Sequence, residues 1–271
     1  MFTRSRIMGI LNVTPDSFSD GGQYETVELA VKQALRLIEE GADILDIGGE
    51  STRPGAQEID VAEEIRRTVP VIKAIRHATR DYDEDVLISI DTRKSDVAEA
   101  AILSGADIWN DVSALGFDAR SPQMAADLGC PVILMHAQGR PENMQDNPNY
   151  EDAVPDILDW LKLRVEEVCA VGVERSAITL DPGIGFGKRQ EDNLAILRHL
   201  DQFKALGFPL LMGASRKSFI GRIDGSEADD RLGGSIAAAL WSAQMGADIL
   251  RVHDVSETVQ AMKVWEAIGD G

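Results

Sequence analysis

A chain of 271 residues, 44% of them hydrophobic, is long enough for one barrel of eight strand–helix units or for two smaller domains. Its formal net charge of −19 argues against nucleic acid as a partner, because nucleic-acid-binding proteins need a basic face. No apolar run reaches the roughly 18–20 residues of a membrane span, so we expect no membrane partner. The polar N-terminus, and two cysteines without metal-type spacing, predict a reducing, cytoplasmic compartment.

Short apolar runs alternate with helical patterns along the chain, which predicts parallel strands joined by helical crossovers. Three of the runs follow the same segment, Gly-Ala-Asp, at residues 41–43, 105–107 and 246–248. Glycine suits the left-handed position just after a helix, and a nearly continuous apolar run suits a strand buried on both faces. The predicted strands cover residues 7–13, 44–48, 86–91, 107–112, 132–136, 178–181, 209–213 and 248–253. The clearest helical patterns cover residues 27–39, 62–78, 152–171 and 232–245.

Eight such units in this length favour an α/β fold, a single (β/α)8 TIM barrel forming one domain over residues 1–271. An open doubly wound sheet is the alternative, but no Gly-x-Gly-x-x-Gly turn follows the first predicted strand. In a (β/α)8 barrel the active site lies at the C-terminal ends of the strands. The residues at those ends are therefore the candidates for function.

Polar side chains stand at the ends of nearly all the predicted strands, whereas the strand bodies are apolar. Arg251 and His253 are two residues apart, so they share a face and suit a dianionic group. The carboxylates of Asp91 and Asp181 would accept hydrogen bonds from a planar pair of N–H donors, such as the edge of a 2-amino-pyrimidinone. The remaining strand-end residues are Asn12, Asp46, Asn110, Asp111, Met135, His136, Gly213 and Lys217.

Three of these strand-end residues keep a structural alternative. Asp46 and Asp111 could instead cap the helices that follow them. His136 lies out of phase with Met135, which favours a structural hydrogen-bonding role.

Five longer segments resemble the signature sequences of the dihydropteroate synthase family, in the same order along the chain. The first is Met-Gly-Ile-Leu-Asn-Val-Thr-Pro-Asp-Ser-Phe-Ser-Asp-Gly-Gly at residues 8–22. The others are Asp-Ile-Gly-Gly-Glu-Ser-Thr-Arg-Pro-Gly-Ala at 46–56, Asp-Pro-Gly-Ile-Gly-Phe-Gly-Lys at 181–188, Ser-Arg-Lys-Ser-Phe-Ile-Gly at 215–221 and Arg-Val-His-Asp at 251–254. The family pattern after the fifth strand is Met-His-Met-x-Gly-Thr-Pro, and this chain departs from it at Ala137 and Arg140.

The resemblance implies a homodimeric, Mg²⁺-dependent enzyme of folate synthesis and a target of sulfonamides. Such an enzyme joins 6-hydroxymethyl-7,8-dihydropterin pyrophosphate to p-aminobenzoate and releases pyrophosphate by an SN1-like substitution at the pterin methylene. Two loops, residues 14–22 and 51–56, would close over the site. The residues implied in catalysis are Asp91, Lys217, Arg251, His253 and Arg53.

The resemblance also implies a division of the site into subsites. The pterin ring would contact Asp91, Asn110, Met135, Asp181, Gly213 and Lys217. The pyrophosphate would contact Asn12, Thr52, Arg53, Arg251 and His253, with Asn12 as the Mg²⁺ ligand. The p-aminobenzoate pocket would be formed by Phe18, Pro54, Phe186, Lys217 and Ser218.

Two other functions fit part of this pattern. A pterin-binding or methyltetrahydrofolate-binding methyltransferase would share some of the Asp and Asn positions, but it should lack segments 51–55 and 215–219. A catalytically silent pterin-binding paralogue would be favoured by loss of Arg53, Lys217 or His253, and all three are present.

Overall fold

Eight parallel strands form one sheet in a computed structural model that describes residues 4–14, 23–51, 56–82, 86–139, 144 and 148–269. The strands run in the spatial order β6-β5-β4-β3-β2-β1-β8-β7, and a parallel bridge between Leu180 and Leu210 brings the two edges together into a nearly closed barrel. The strands are Arg6–Asn12 (β1), Ile44–Gly48 (β2), Leu87–Asp91 (β3), Ile108–Asp111 (β4), Val132–Met135 (β5), Ile178–Asp181 (β6), Leu211–Met212 (β7) and Ile249–Val252 (β8). The barrel prediction is confirmed; one domain over residues 1–271 stays a prediction, because it includes residues outside the described ranges.

Helices cover the outside of the barrel and supply the crossovers between successive strands. Asp60 caps one of them, because its side chain accepts a hydrogen bond from the backbone N–H of Glu63. The helices are Gln23–Glu39 (α1), Val61–Thr79 (α2), Ser95–Ile102 (α3), Ser121–Leu128 (α4), Ala153–Ala170 (α5), Gln190–Arg198 (α6), Leu200–Lys204 (α7), Ser218–Asp224 (α8), Leu232–Gln244 (α9) and Val255–Gly269 (α10). No helix among the described residues is long and apolar enough to cross a membrane.

The repeated Gly-Ala-Asp segments join helices to strands at the N-terminal end of the barrel. Their glycines have φ values of 101°, 112° and 95°, a conformation that a side chain would strain. Their aspartates accept hydrogen bonds of 2.7 Å from the backbone N–H at the start of a neighbouring strand: Asp43 from Ile7, Asp107 from Ile88, and Asp248 from Leu210. The repeat therefore ends a helix and fixes the register of the next strand pair.

Side chains alternate along each strand between two separate apolar clusters. The outward-facing set packs against the helices and includes Leu45, Ile90 and Leu250. The inward-facing set forms a layer that fills the barrel on the N-terminal side of the strand ends. It consists of Met8, Ile44, Leu87, Ile108, Ile133, Leu211 and Ile249. Because side chains two residues apart share a face, the inward positions above this layer are occupied by the predicted site residues.

Candidate active site at the C-terminal rim

The inward-facing positions at the C-terminal ends of the strands bring charged groups from four strands together. Arg251, from β8, reaches across the barrel and donates from Nε to Asp46 Oδ2 at 2.6 Å and from Nη2 to Asp91 Oδ2 at 2.8 Å. Asp46 is fully buried, and Asn110 donates from Nδ2 to both of its carboxylate oxygens at 3.3 Å. Asp46 therefore does not cap a helix; it lies between Arg251 and Asn110 inside the barrel.

The two carboxylates proposed from sequence to face a ring are both buried. Burial raises the pKa of Asp181 to about 6, even though the Gly183 N–H donates to its Oδ1 at 2.7 Å. Burial also raises the pKa of Asp91, against the opposing attraction of Arg251. Burial works against the charged form of Arg251 as well, but Asp46 and Asp91 more than offset it and raise the guanidinium pKa.

The segment after β6, which carries Lys188, forms one wall of the site together with Lys217 from the segment after β7. Lys188 is buried, and its Nζ lies 3.0 Å from His136 Nδ1, 3.2 Å from His136 O and 3.1 Å from Phe186 O. Phe186 is thereby held with its ring 4.0 Å from the ammonium group of Lys217. Burial lowers the pKa of Lys217 to about 8 and that of Lys188 to about 7.

His136 belongs to the packing around this wall rather than to the barrel interior. Its ring packs edge-on against Trp160 with 4.9 Å between ring centroids. Burial lowers its pKa to about 2, so the ring is neutral. The structural role predicted for His136 from its phase is what the geometry shows. Asp111 is likewise structural, since it accepts from the N–H groups of Ser113 and Leu115 in the turn after β4.

The ends of β7 and β8 are linked through Ser215 and Arg216. Ser215 Oγ lies 3.0 Å from His253 Nδ1 and accepts the backbone N–H of His253 at 3.2 Å. Burial lowers the pKa of His253 to about 4. Arg216 has a φ of 57° and donates to both carboxylate oxygens of Asp254, which holds the segment carrying Lys217 against β8.

The remaining predicted residues fall into two groups. Asn12, Met135 and Gly213 lie at the same rim, and a Cβ built on Gly213 would lie 3.9 Å from the Arg251 side chain. Ser218 begins α8 and is exposed. The other predicted residues, Phe18, Thr52, Arg53 and Pro54, lie outside the described residues, as do Arg140 and most of both predicted closing loops.

Three residues that the structure places at the site were given no subsite from the sequence: Asp46, which was only a strand-end candidate, and Lys188 and Ser215, which lay within two of the family-like segments. Asp46 shares its face with Ile44 and Gly48, so strand parity could have identified it. Lys188 and Ser215 carried no such signal, because both lie in segments between strands and helices.

Similarity to known proteins agrees with this geometry. The sequence model of the pterin binding enzyme family matches residues 8–253. A dihydropteroate synthase of Synechocystis sp. is 44% identical, over 98% of this chain and 90% of its own length. The chain belongs to the dihydropteroate synthase family.

Solved structures of this synthase family share the fold over the full chain. A Yersinia pestis dihydropteroate synthase in complex with a sulfonamide drug superposes with a TM-score of 0.91 at 43% identity, covering 100% of this chain and 96% of the other. A Xanthomonas albilineans dihydropteroate synthase with 4-aminobenzoic acid gives a TM-score of 0.91 at 47% identity, covering 100% and 95%.

Proposed function

We propose that this chain condenses 6-hydroxymethyl-7,8-dihydropterin pyrophosphate with p-aminobenzoate, giving 7,8-dihydropteroate and pyrophosphate. The observation that carries the proposal is the convergence of Asp91, Asn110, Asp181, Lys217 and Arg251 at one rim of the barrel. Buried acceptors beside cations suit a flat heterocycle bearing N–H groups and joined to an anion. Membership of the synthase family supports the same reaction.

The pterin ring would lie over the inner part of the rim. Asp181 and Asp91 would accept from the ring N–H groups, Asn110 would complete the polar edge, and Lys217 would donate to a ring acceptor. Met135 and Gly213 would pack against the ring faces. Because all of these groups are positioned by strand ends or by the buried Lys188 wall, the pocket is largely formed before the ligand arrives.

The pyrophosphate would lie toward β1 and β8, held by Asn12, Arg251 and His253, with Thr52 and Arg53 from the following loop. Ser215 Oγ accepts a hydrogen bond from the backbone N–H of His253. The hydroxyl hydrogen of Ser215 is therefore available to donate to the ring nitrogen Nδ1 of His253. That arrangement leaves the proton of the neutral imidazole on Nε2, where it can donate to a phosphate oxygen.

Magnesium would be held at this end of the site by the amide oxygen of Asn12. A Cβ built on Gly48 would lie 3.8 Å from both Asn12 Oδ1 and Asp91 Oδ2, so the absence of a side chain there leaves space beside the amide oxygen. Within the described ranges, no cluster of three His, Cys, Asp or Glu residues could hold a metal without the substrate. This suits Mg²⁺, which usually takes few protein ligands together with substrate phosphates, and which would neutralise the charge on the departing pyrophosphate.

The p-aminobenzoate would lie against Phe186, Lys217 and Ser218, with Phe18 and Pro54 completing the pocket. Breakage of the methylene–oxygen bond leaves positive charge on the pterin methylene, which the carboxylate of Asp91 would stabilise. The aniline nitrogen then forms the new bond with its own lone pair, so no enzyme nucleophile is required, and its proton passes to water or to the released pyrophosphate. Charge stabilisation by Arg251 and His253 would be the main contribution of this chain to the rate.

A product assay tests the proposed reaction directly. The purified chain should form dihydropteroate and pyrophosphate only when pterin pyrophosphate, p-aminobenzoate and Mg²⁺ are all present, and a sulfonamide should compete with p-aminobenzoate. Chelation of Mg²⁺ should abolish product formation. Pterin binding without product would instead identify a silent pterin-binding protein and would contradict the proposal.

Lys217→Ala should raise the KM for the pterin substrate roughly 10- to 100-fold, the equivalent of losing a charged hydrogen bond worth about 1.5–3 kcal/mol. The KM for p-aminobenzoate should also rise, because the Lys217 ammonium lies over the Phe186 ring. Steady-state kinetics measure both values. Lys162→Ala, which removes an exposed lysine on α5, is the control and should leave both unchanged. Unaltered kinetics in Lys217→Ala would remove this residue from the site.

The pH dependence of kcat/KM for the pterin substrate should be bell-shaped, because this ratio reports groups of the free enzyme. As the pH falls through about 6, Asp181 is protonated and loses its acceptor-only form. As the pH rises through about 8, Lys217 loses its positive charge. Asp181→Asn should change the acid limb, while the ionisation of the substrate and of Asp91, whose pKa burial also raises, stays in place. An acid limb that is identical in wild type and Asp181→Asn would exclude Asp181 as its source.

We also propose that the protein acts as a homodimer in the cytoplasm. An apolar groove of about 330 Å³ lies between α6, α8 and α9, and it is lined in part by Leu197, Ile220 and Ala238. Its edge carries Ile223 and Trp241, with 64% and 44% of their surfaces exposed, which is costly unless a second copy covers them. Sedimentation velocity should give the mass of two chains, and a single-chain mass at all concentrations would contradict the dimer. Cell fractionation tests the compartment.

A further inference from the structure

Asp46 is the buried carboxylate that touches both ends of the proposed substrate site. It lies in the middle of β2, directly above the apolar layer, and none of its surface is exposed. Arg251 donates to Asp46 Oδ2 at 2.6 Å, and Asn110 Nδ2 lies 3.3 Å from each of its oxygens. Burying a carboxylate without partners costs free energy, so the contacts with Arg251 and Asn110 stabilise Asp46 in its buried position.

Asp46 fixes the direction of the Arg251 guanidinium. With Nε bound to Asp46, only Nη1 and Nη2 can turn toward a ligand, and 21% of the Arg251 side chain remains exposed at the rim. Nη2 is also paired with Asp91 at 2.8 Å. A ring that donates hydrogen bonds to Asp91 must therefore compete with Arg251 for this carboxylate. Asp46 still compensates the guanidinium charge of Arg251 when Asp91 is engaged by the ring.

Asp46 also fixes the orientation of the Asn110 amide. An ionised carboxylate accepts hydrogen bonds and donates none, so the amide NH₂ of Asn110 must face Asp46. The Asn110 Oδ1 atom is then directed away from Asp46 as an acceptor for a ring N–H. The polarity that the pterin meets at Asn110 is thus set by a residue two strands away, across β3.

We propose that Asp46 is a positioning residue that orients Arg251 toward the pyrophosphate and Asn110 toward the pterin ring. This inference rests on the proposed function and deepens it by joining the two subsites. Asp46 does not touch the substrate; it acts only through its two partners.

Asp46→Asn tests the role, because it keeps the size of the side chain but removes the charge and the acceptor-only character. Without Asp46, Asp91 becomes the sole carboxylate on Arg251, and Asn110 is free to turn. We expect the affinity for free pterin, measured by calorimetry, to fall about tenfold, which corresponds to about 1.4 kcal/mol. The kcat should fall as well, whereas the KM for p-aminobenzoate should stay unchanged, because Asp46 contacts none of the described residues of that pocket.

Double-mutant cycles separate positioning from a general structural effect. If Asp46 acts through Arg251 and Asn110, then Asp46→Asn should cost less pterin affinity when combined with Arg251→Gln or with Asn110→Ala than it costs alone. Losses that simply multiply in both cycles, or wild-type affinity in Asp46→Asn, would overturn the inference.

Asp111→Asn is the matched control, since Asp111 is a fully buried carboxylate on the nearby strand β4 whose hydrogen-bond partners lie outside the barrel interior. It should lower the melting temperature without changing pterin affinity. Pterin binding is measured without turnover, so the cycles can be interpreted whatever the product assay gives. A wild-type chain that makes no dihydropteroate would contradict the proposed reaction, whereas an active wild type with additive cycles would contradict only the role of Asp46.

Discussion

Arg251→Ala is expected to slow turnover by a factor of roughly 10² to 10³, which corresponds to the roughly 3–4 kcal/mol lost when a preorganised charge-stabilising donor is removed from an active site. The guanidinium is held by Asp46 and Asp91 before any ligand binds, so it needs no reorganisation when the pyrophosphate departs. Single-turnover kinetics with saturating p-aminobenzoate measure the chemical step. Turnover close to that of the wild type would exclude Arg251 from a role in charge stabilisation.

The same substitution should also destabilise the fold. Removal of Arg251 leaves Asp46 and Asp91 buried without their cation, a loss of about 3–5 kcal/mol for a broken buried ion pair unless the carboxyls take up protons. The matched control is Arg76→Ala, because Arg76 is a partly buried arginine paired with Asp107 at the opposite end of the barrel. Arg76→Ala should reduce the free energy of unfolding but leave kcat unchanged, which separates the catalytic effect from the structural one.

Gly183→Ala is expected to disrupt the wall formed by the segment after β6. Gly183 has a φ of 73°, and a Cβ built on it would lie 2.0 Å from the carbonyl oxygen of His136, too close for any real contact. The segment must therefore move away. This movement would break the hydrogen bond from the Gly183 N–H to Asp181 and the hydrogen bond from Lys188 Nζ to His136 O. Strain and overpacking together should cost about 3 kcal/mol of stability, and pterin affinity should fall at least about tenfold.

The matched control for this substitution is Gly207→Ala. Gly207 also has a positive φ, 83°, but a Cβ there would meet no atom within 4 Å. Its replacement should cost only the conformational strain, about 1 kcal/mol, and pterin binding should be unaffected. Equal losses of affinity in the two variants, measured by calorimetry and denaturant unfolding, would show that the contact with His136 O is irrelevant to the site.

The strands could be predicted from the sequence because their burial on both faces produces continuous apolar runs. The predicted strands 44–48 and 178–181 agree with β2 and β6 at both ends. Each of the other predicted strands differs from the observed one by one or two residues at one or both ends. The largest difference is at 209–213, where only Leu211–Met212 is regular strand. There the chain contributes the bridge between Leu180 and Leu210 that closes the barrel, a contact that depends on the whole sheet.

The strand-end candidates could be predicted as a group, but their pairing could not. Asp46 and Arg251 are 205 residues apart, and their contact follows from β1 lying between β2 and β8 in the closed barrel. For the same reason Asp46 kept the alternative of a helix cap until the sheet order was known. The burial of Lys188 was also unpredictable, because a lysine is rarely buried unless acceptors surround it, and two of its three acceptors belong to His136 at a distant strand end.

The apolar layer beneath Asp46 bears on how salt should act on this protein. Those seven side chains fill the barrel beneath Asp46, and among the described residues Arg251 is exposed at the opposite, C-terminal end, where a bound ligand would cover it. Dissolved ions would then hardly weaken the hold on a captured anion, since buried pairs are poorly screened. They would, however, reduce the long-range repulsion between an anionic substrate and a protein of net charge −19. Moderate ionic strength should consequently speed capture of the substrate without hastening its escape.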